Sequence, residues 1–187
     1  MSTTWILLII AGVVLVWFVI TYNGLTTLKQ RAGQAFGDID VQLKQRHDLI
    51  PNLVETVKGY AAHEKGTLEA VIQARNAAVA SRDPAQMAQN EAQLQGTLGR
   101  LIALSEAYPD LKSNANFQAL QGELSAIEDK LAAARRFFNN AVAEYNAAIR
   151  SIPAVLFAGA FGFRPQSFFD VGEGARATLD VAPSVKF

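Results

Sequence analysis

Both histidines of the chain are followed by an acid, His47 by Asp48 and His63 by Glu64, within a stretch, QRHDLIPNLVETVKGYAAHEKG, that also holds Pro51. Imidazole beside carboxylate could serve zinc hydrolysis, in which neutral ring nitrogens hold the metal and an acid takes a proton from its bound water. A metal-dependent hydrolase using His47 and His63 is therefore one reading of the stretch. The spacing speaks against it, because HEKGT lacks the second histidine that H-E-x-x-H places one helical turn on. No cysteine is present to supply a thiolate ligand or nucleophile. Asp48-Leu49-Ile50-Pro51 reads more simply as a helix boundary, with Asp48 capping free backbone N–H groups and Pro51 inside the first turn. On that reading no metal and no other cofactor is expected.

Other catalytic patterns fail as well. There is no G-x-S-x-G and no phosphate-binding P-loop. GEGAR, Gly172 to Arg176, resembles half of a phosphate loop but lacks the flanking strand and helix. The chain carries 17 basic and 17 acidic residues and a formal net charge of zero, so no global field favours nucleic acid. The remaining charges lie beside apolar seams: Glu128 and Arg135 with Arg136, and Arg46, Glu55 and Arg75. Asn139, Asn140 and Asn146 border the same seams. Such groups are expected to pair between helices and fix register. No catalytic residue is expected.

The elements that carry these residues are helices. The first 28 residues hold no charged side chain, and WILLIIAGVVLVWFVITY, Trp5 to Tyr22, is an apolar run about long enough to cross a bilayer. Trp5 at one end and Trp17, Phe18 and Tyr22 at the other stand where interfacial rings anchor a span. A cleaved signal peptide would want a basic side chain before the run and a small-x-small site after it, and neither is evident. Residues 1–23 therefore read as an uncleaved single-pass anchor in the lipid bilayer. Lys29 and Arg31 follow the span and no basic side chain precedes it, which favours a cytoplasmic C-terminal domain.

Residues 24–151 read as an antiparallel four-helix bundle of long, coiled-coil-like helices. Leu25, Leu28, Ala32, Phe36, Ile39 and Leu43 recur at steps of three and four, continuing the anchor outward. Leu53, Val57, Tyr60, Leu68, Val71 and Ile72 form a second set. Asp83-Pro84 starts a third, which runs from Met87 through Leu94, Leu98 and Leu101 to Tyr108. The fourth, from Phe117 to Tyr145, is a heptad seam that Ser113 or Asn114 can cap and Ser151-Ile152-Pro153 ends. No segment alternates with period two for long enough to require a sheet.

If the connections are short, the fourth helix must return towards the membrane. Ile152 to Phe163, IPAVLFAGAFGF, has no charge and is too short to span. Residues 152–163 either cap the bundle or rest at the membrane interface, with Leu156, Phe157, Phe161 and Phe163 as the interfacial side chains. Residues 164–187 read as an irregular tail.

Several phrases together resemble the LemA family of bacterial membrane-anchored proteins: YNGL at Tyr22, RHDLIPNLVETVKGYAAHE from Arg46, EAYPDLKSNANFQALQ from Glu106, ARRFFNNAV from Ala134 with EYN from Glu144, and FAGAFGF…FF…VKF at the end. They follow the family's order from anchor to last residue. One departure stands at Phe138-Asn139, where the family tends to have tyrosine before the asparagine. The resemblance implies a single N-terminal membrane helix, a helical-bundle domain and a place in the bacterial inner membrane. It supplies no catalytic residue. It implies association instead, since relatives are linked to magnetosome membranes and family genes often lie near a membrane zinc metalloprotease. Arg46, Asp48, Pro51, Glu128, Arg135 and Asn139 are expected to serve geometry.

The function expected is a non-enzymatic, membrane-anchored helical scaffold that forms homo-oligomers or docks partners. The alternatives are an adaptor or regulator of a membrane metalloprotease, suggested by the resemblance alone, and the metal-dependent hydrolase.

Overall fold

The structure, a computed structural model, describes residues 3–169, and among these every regular element is helical. The helices are α1 (Thr3–Lys58), α2 (Lys65–Ala80), α3 (Pro84–Ser105), the single turn α4 (Pro109–Lys112) and α5 (Ala115–Arg150), followed by a 3-10 turn at Ala154–Leu156. Of the tail expected from 164 on, the part to Phe169 is irregular. The rest of it, with the GEGAR fragment, lies outside the described residues.

α1 begins in the apolar run and continues without interruption into the charged sequence. Its most apolar stretch has none of its residues buried, and among the described residues it is the one helix long and apolar enough to cross a membrane. The helix boundary expected at Asp48–Pro51 is not there. α1 passes through Pro51 and ends at Lys58, where Tyr60 N donates to the Val57 carbonyl at 3.0 Å and Ala61 N to the same oxygen at 2.9 Å. Asp48 is thus exposed in mid-helix and caps nothing. An interior proline removes the N–H that would bond the carbonyl four residues back, here that of His47. Arg75 Nε donates to that His47 oxygen at 3.1 Å, so the carbonyl is satisfied from α2.

The later boundaries follow local chemistry. One Asp83 carboxylate oxygen accepts from Ala85 N at 3.0 Å and from Gln86 N at 3.1 Å, with Pro84 in the first turn of α3, where it lacks no needed donor. Asn114 Oδ1 accepts from Phe117 N at 3.0 Å and caps α5. Ser151 closes the other end, its Oγ donating to the Ala147 carbonyl at 2.9 Å.

Two compact units divide the chain, and α1 and α5 each contribute to both. One comprises, among the described residues, Ile39–Arg135 with Phe168 and Phe169. Its core gathers Leu53 and Val57 of α1, Leu68 and Val71 of α2, Leu94, Leu98 and Leu101 of α3, and Phe117 and Leu120 of α5, with Leu111 of α4 among them. Burial of an aliphatic or aromatic side chain of this size stabilises by about 1.5–3 kcal/mol. This core is therefore the main force holding the four long elements of the unit together. The other unit comprises Met1–Asp38 and Arg136–Ser167. Its core is built on Leu25 of α1, Tyr145 and Ile149 of α5, and Ala154, Ala158 and Phe163 beyond them. Phe138, at the position where the resemblance leads one to expect tyrosine, is buried with its ring centroid 5.5 Å from that of Phe36.

Candidate functional site

The first unit buries a cluster of charge. Arg46 of α1 is fully buried and bridges two acids, Glu91 Oε2 of α3 at 3.0 Å through Nη1 and Glu128 Oε1 of α5 at 2.6 Å through Nη2. The other oxygen of Glu91, itself fully buried, accepts from His47 Nε2 at 2.6 Å. Because a carboxylate only accepts, His47 carries its proton on Nε2. Arg135 completes the set, with its guanidinium carbon 5.1 Å from the Phe169 ring centroid. Burial pulls the Arg135 guanidinium below its ordinary pKa; neighbouring Glu128 opposes that shift, Arg46 adds to it and Glu91 opposes it.

The pairs of this cluster link three helices, α1, α3 and α5. Each carboxylate oxygen of Glu91 has a donor, and Glu128 pairs with Arg46 through one of its two oxygens. A cleft of about 300 Å³ adjoins the cluster, reached between Gln95 and Gly99 of α3 and Gln121 and Ser125 of α5, with Arg46 and Glu128 in its wall. Arg46 Nε and Arg135 Nε are buried without hydrogen-bond partners. His63 is exposed in the turn after α1, while His47 is buried on Glu91. Among the described residues no three or more His, Asp or Glu side chains gather as metal ligands.

The second unit carries an apolar shelf. Phe18 of α1 meets Phe157 at 4.8 Å and Phe161 at 5.4 Å between ring centroids. Tyr22 meets Phe161 at 5.7 Å and Phe163 at 5.3 Å, both edge-on, an arrangement that aromatic quadrupoles favour. Lys29 Nζ lies 5.9 Å from the centre of the Phe163 ring. Asn146 then fixes the chain beyond the shelf: its Nδ2 donates to the Gln166 carbonyl, and Gln166 N donates to its Oδ1, both at 2.9 Å.

The residues singled out from the sequence thus fall into distinct places. Trp5 and Trp17 are exposed on α1, and Phe18 and Tyr22 are half-buried under the shelf. Leu156 and Phe161 are exposed, Phe157 is half-buried, and Phe163 is buried within the unit's core. Arg46, Glu128 and Arg135 come together, whereas Asp48 points to solvent and Pro51 is also exposed. Asn139 is half-buried on α5, in the other unit. Glu91, the acid at the centre of the cluster, is absent from the sequence-based expectations. Its signal was position, since Met87, Glu91, Leu94 and Leu98 share one helical stripe.

The LemA family model matches residues 35–187. The magnetosome protein MamQ of Magnetospirillum gryphiswaldense is 26% identical, over 88% of this chain and 71% of that protein. Magnetosome proteins MamQ 1 and MamQ 2 of Paramagnetospirillum magneticum are each 24% identical, over 87% of this chain and 71% of theirs.

Proposed function

The chain belongs to the LemA family, and on that premise we propose that it is a non-enzymatic scaffold, anchored in the membrane by α1 and self-associating there. The observation that carries this reading is the apolar start of α1, whose most apolar stretch has no fully buried residue. An apolar helix of that length needs lipid around it, because water leaves its surface unsatisfied. The magnetosome names of its relatives concern those proteins, and what carries over in this proposal is attachment to a membrane.

The scaffold role draws support from the charged cluster. Its groups pair with one another across α1, α3 and α5, and Arg75 ties α2 to α1, so the polar chemistry of the unit is spent on register. An antiparallel bundle of these four elements is part of the proposal. Self-association draws support from large apolar side chains that the chain leaves exposed on its helices, among them Val41, Ile72 and Val79.

Two measurements test the reading. Alkaline carbonate extraction of membranes should leave the protein in the pellet; release would remove the anchor. Chemical crosslinking of the intact protein in membranes should then yield dimers or larger species. Monomer alone across a range of crosslinker concentrations would overturn the scaffold.

A further inference from the structure

Ile152 to Phe163 does more than close the end of a helix. The segment is folded so that its apolar side chains divide into two sets. Ala154, Ala158 and Phe163 turn into the unit's own core with Leu25 and Ile149. Ile152 (82% exposed), Leu156 (81%), Val155 and Phe161 turn outward, with no charged residue between Arg150 and Arg164. A soluble surface rarely gathers such side chains on one short segment without a partner.

The position of the shelf on α1 identifies the partner. Its rings rest on Phe18 and Tyr22, the last aromatic residues of the apolar run. From Trp5 to Tyr22 the helix rises by about 26 Å at 1.5 Å per residue, close to a hydrocarbon thickness of about 30 Å. Tyr22 therefore marks one edge of the hydrocarbon, and Phe18 lies about 6 Å inside it on the same rise. Phe157 and Phe161, held against Phe18, are drawn to that depth, which is where interfacial segments rest.

Charge around the shelf agrees. Lys29 reaches over the Phe163 ring, Arg31 follows two residues later in sequence, and Arg150 and Arg164 bracket the apolar segment. No acid occurs in residues 1–37 or 145–169. Cations that border an apolar surface and face no acid suit the phosphates of an anionic leaflet.

The geometry points to a second membrane attachment: the outward face of residues 152–163 enters the leaflet beside α1, and Lys29, Arg31, Arg150 and Arg164 rest on anionic headgroups. This rests on the reading of α1 as a membrane anchor, and the test separates the two.

Because the chain has no cysteine, single cysteines report single sites. I10C, L156C, F161C and F137C, all at exposed positions, are nitroxide-labelled in the full chain and reconstituted in phosphatidylglycerol vesicles. Relaxation by oxygen, which concentrates in lipid, is compared with relaxation by a water-soluble nickel chelate. Labels at 10, 156 and 161 should favour oxygen, and the label at 137 should favour nickel. If 10 favours oxygen while 156 and 161 match 137, the second attachment is overturned and the anchor stands. If 10 also favours nickel, the anchor fails too. Spin–spin broadening at 156, with both agents excluded, would assign the shelf to a second copy of the chain and overturn the lipid contact. The cationic collar has its own arm. The label at 156 should read deeper in phosphatidylglycerol than in phosphatidylcholine, and R150Q with R164Q should abolish that difference; equal depth in both lipids for the parent chain would overturn it.

Discussion

Arg75 Nε donates to the carbonyl oxygen of His47 at 3.1 Å, the oxygen that Pro51 leaves without its helical donor. A side chain from α2 thus replaces a backbone bond of α1, and the proline helps to dock the two helices. Arg75→Ala should orphan the carbonyl and cost about 1–3 kcal/mol. In a Pro51→Ala background the new amide can restore the helical bond, so the same Arg75→Ala change should cost less. A double-mutant cycle by chemical unfolding in detergent measures this; strict additivity would show that the two residues do not act on one oxygen.

That relationship also explains what could be read from the sequence and what could not. The start of α3 was legible because Asp83 and Pro84 act on amides two and three residues away. The cap of α5 by Asn114 is equally local. Pro51 reads as a boundary in the sequence because its missing donor is made good by a residue in another helix, and no local rule contains Arg75. The position of Arg46 near a seam is plain in the sequence, yet its acid partner in α3 is hidden in the stripe through Met87 and Leu94, whose neighbouring members are apolar. Charged groups at core positions of two stripes must find each other, and only the packing of α1 on α3 shows that they do. In Ile152 to Phe163 the apolar composition was plain. Which side chains face inward depends on a 3-10 turn and a glycine, Gly162, with φ +75°, that helical periodicity cannot foresee.

The Arg46 cluster should respond asymmetrically to mutation. Arg46→Ala strips Glu91 and Glu128 of their shared partner and leaves Glu91 buried with only His47. A loss of about 3–5 kcal/mol is expected. Glu128→Gln, at the more exposed end of the cluster, should cost about 1 kcal/mol or less. Replacing Arg46 and Glu91 together by apolar residues of similar size should recover most of the Arg46→Ala loss, because the desolvation of both charges goes with them. Unfolding midpoints of the three variants decide it; equal losses for Arg46→Ala and Glu128→Gln would contradict the buried-charge account.

Asn146 holds the backbone of Gln166 by a reciprocal pair of hydrogen bonds. Asn146→Ala removes both while leaving the apolar contacts of Tyr145 and Ile149 in place. The Gln166 amide should then exchange with deuterated solvent about 10–100-fold faster, corresponding to the loss of roughly 1–3 kcal/mol of local protection. Amides in the middle of α5 should be unchanged. Unaltered exchange at Gln166 would mean that other contacts hold the chain there.

Tyr145 ties the second unit to pH. Its side chain is fully buried, and burial raises the phenol above its ordinary value, partly opposed by the Arg164 backbone; the hydroxyl makes no hydrogen bond of complete geometry. A phenol raised in the folded state keeps its proton more tightly there than in the unfolded chain. Its contribution to stability is therefore whole below the ordinary phenol value of about 10 and is lost as pH rises through the folded-state value. Tyr145→Phe should leave stability near neutral pH almost unchanged, since it removes a poorly satisfied hydroxyl from the core. The same variant should lose part of the decline in stability above pH 10. Unfolding curves of the parent and the variant at neutral and strongly alkaline pH make the comparison, and parallel losses in both proteins would assign the alkaline sensitivity to groups other than Tyr145.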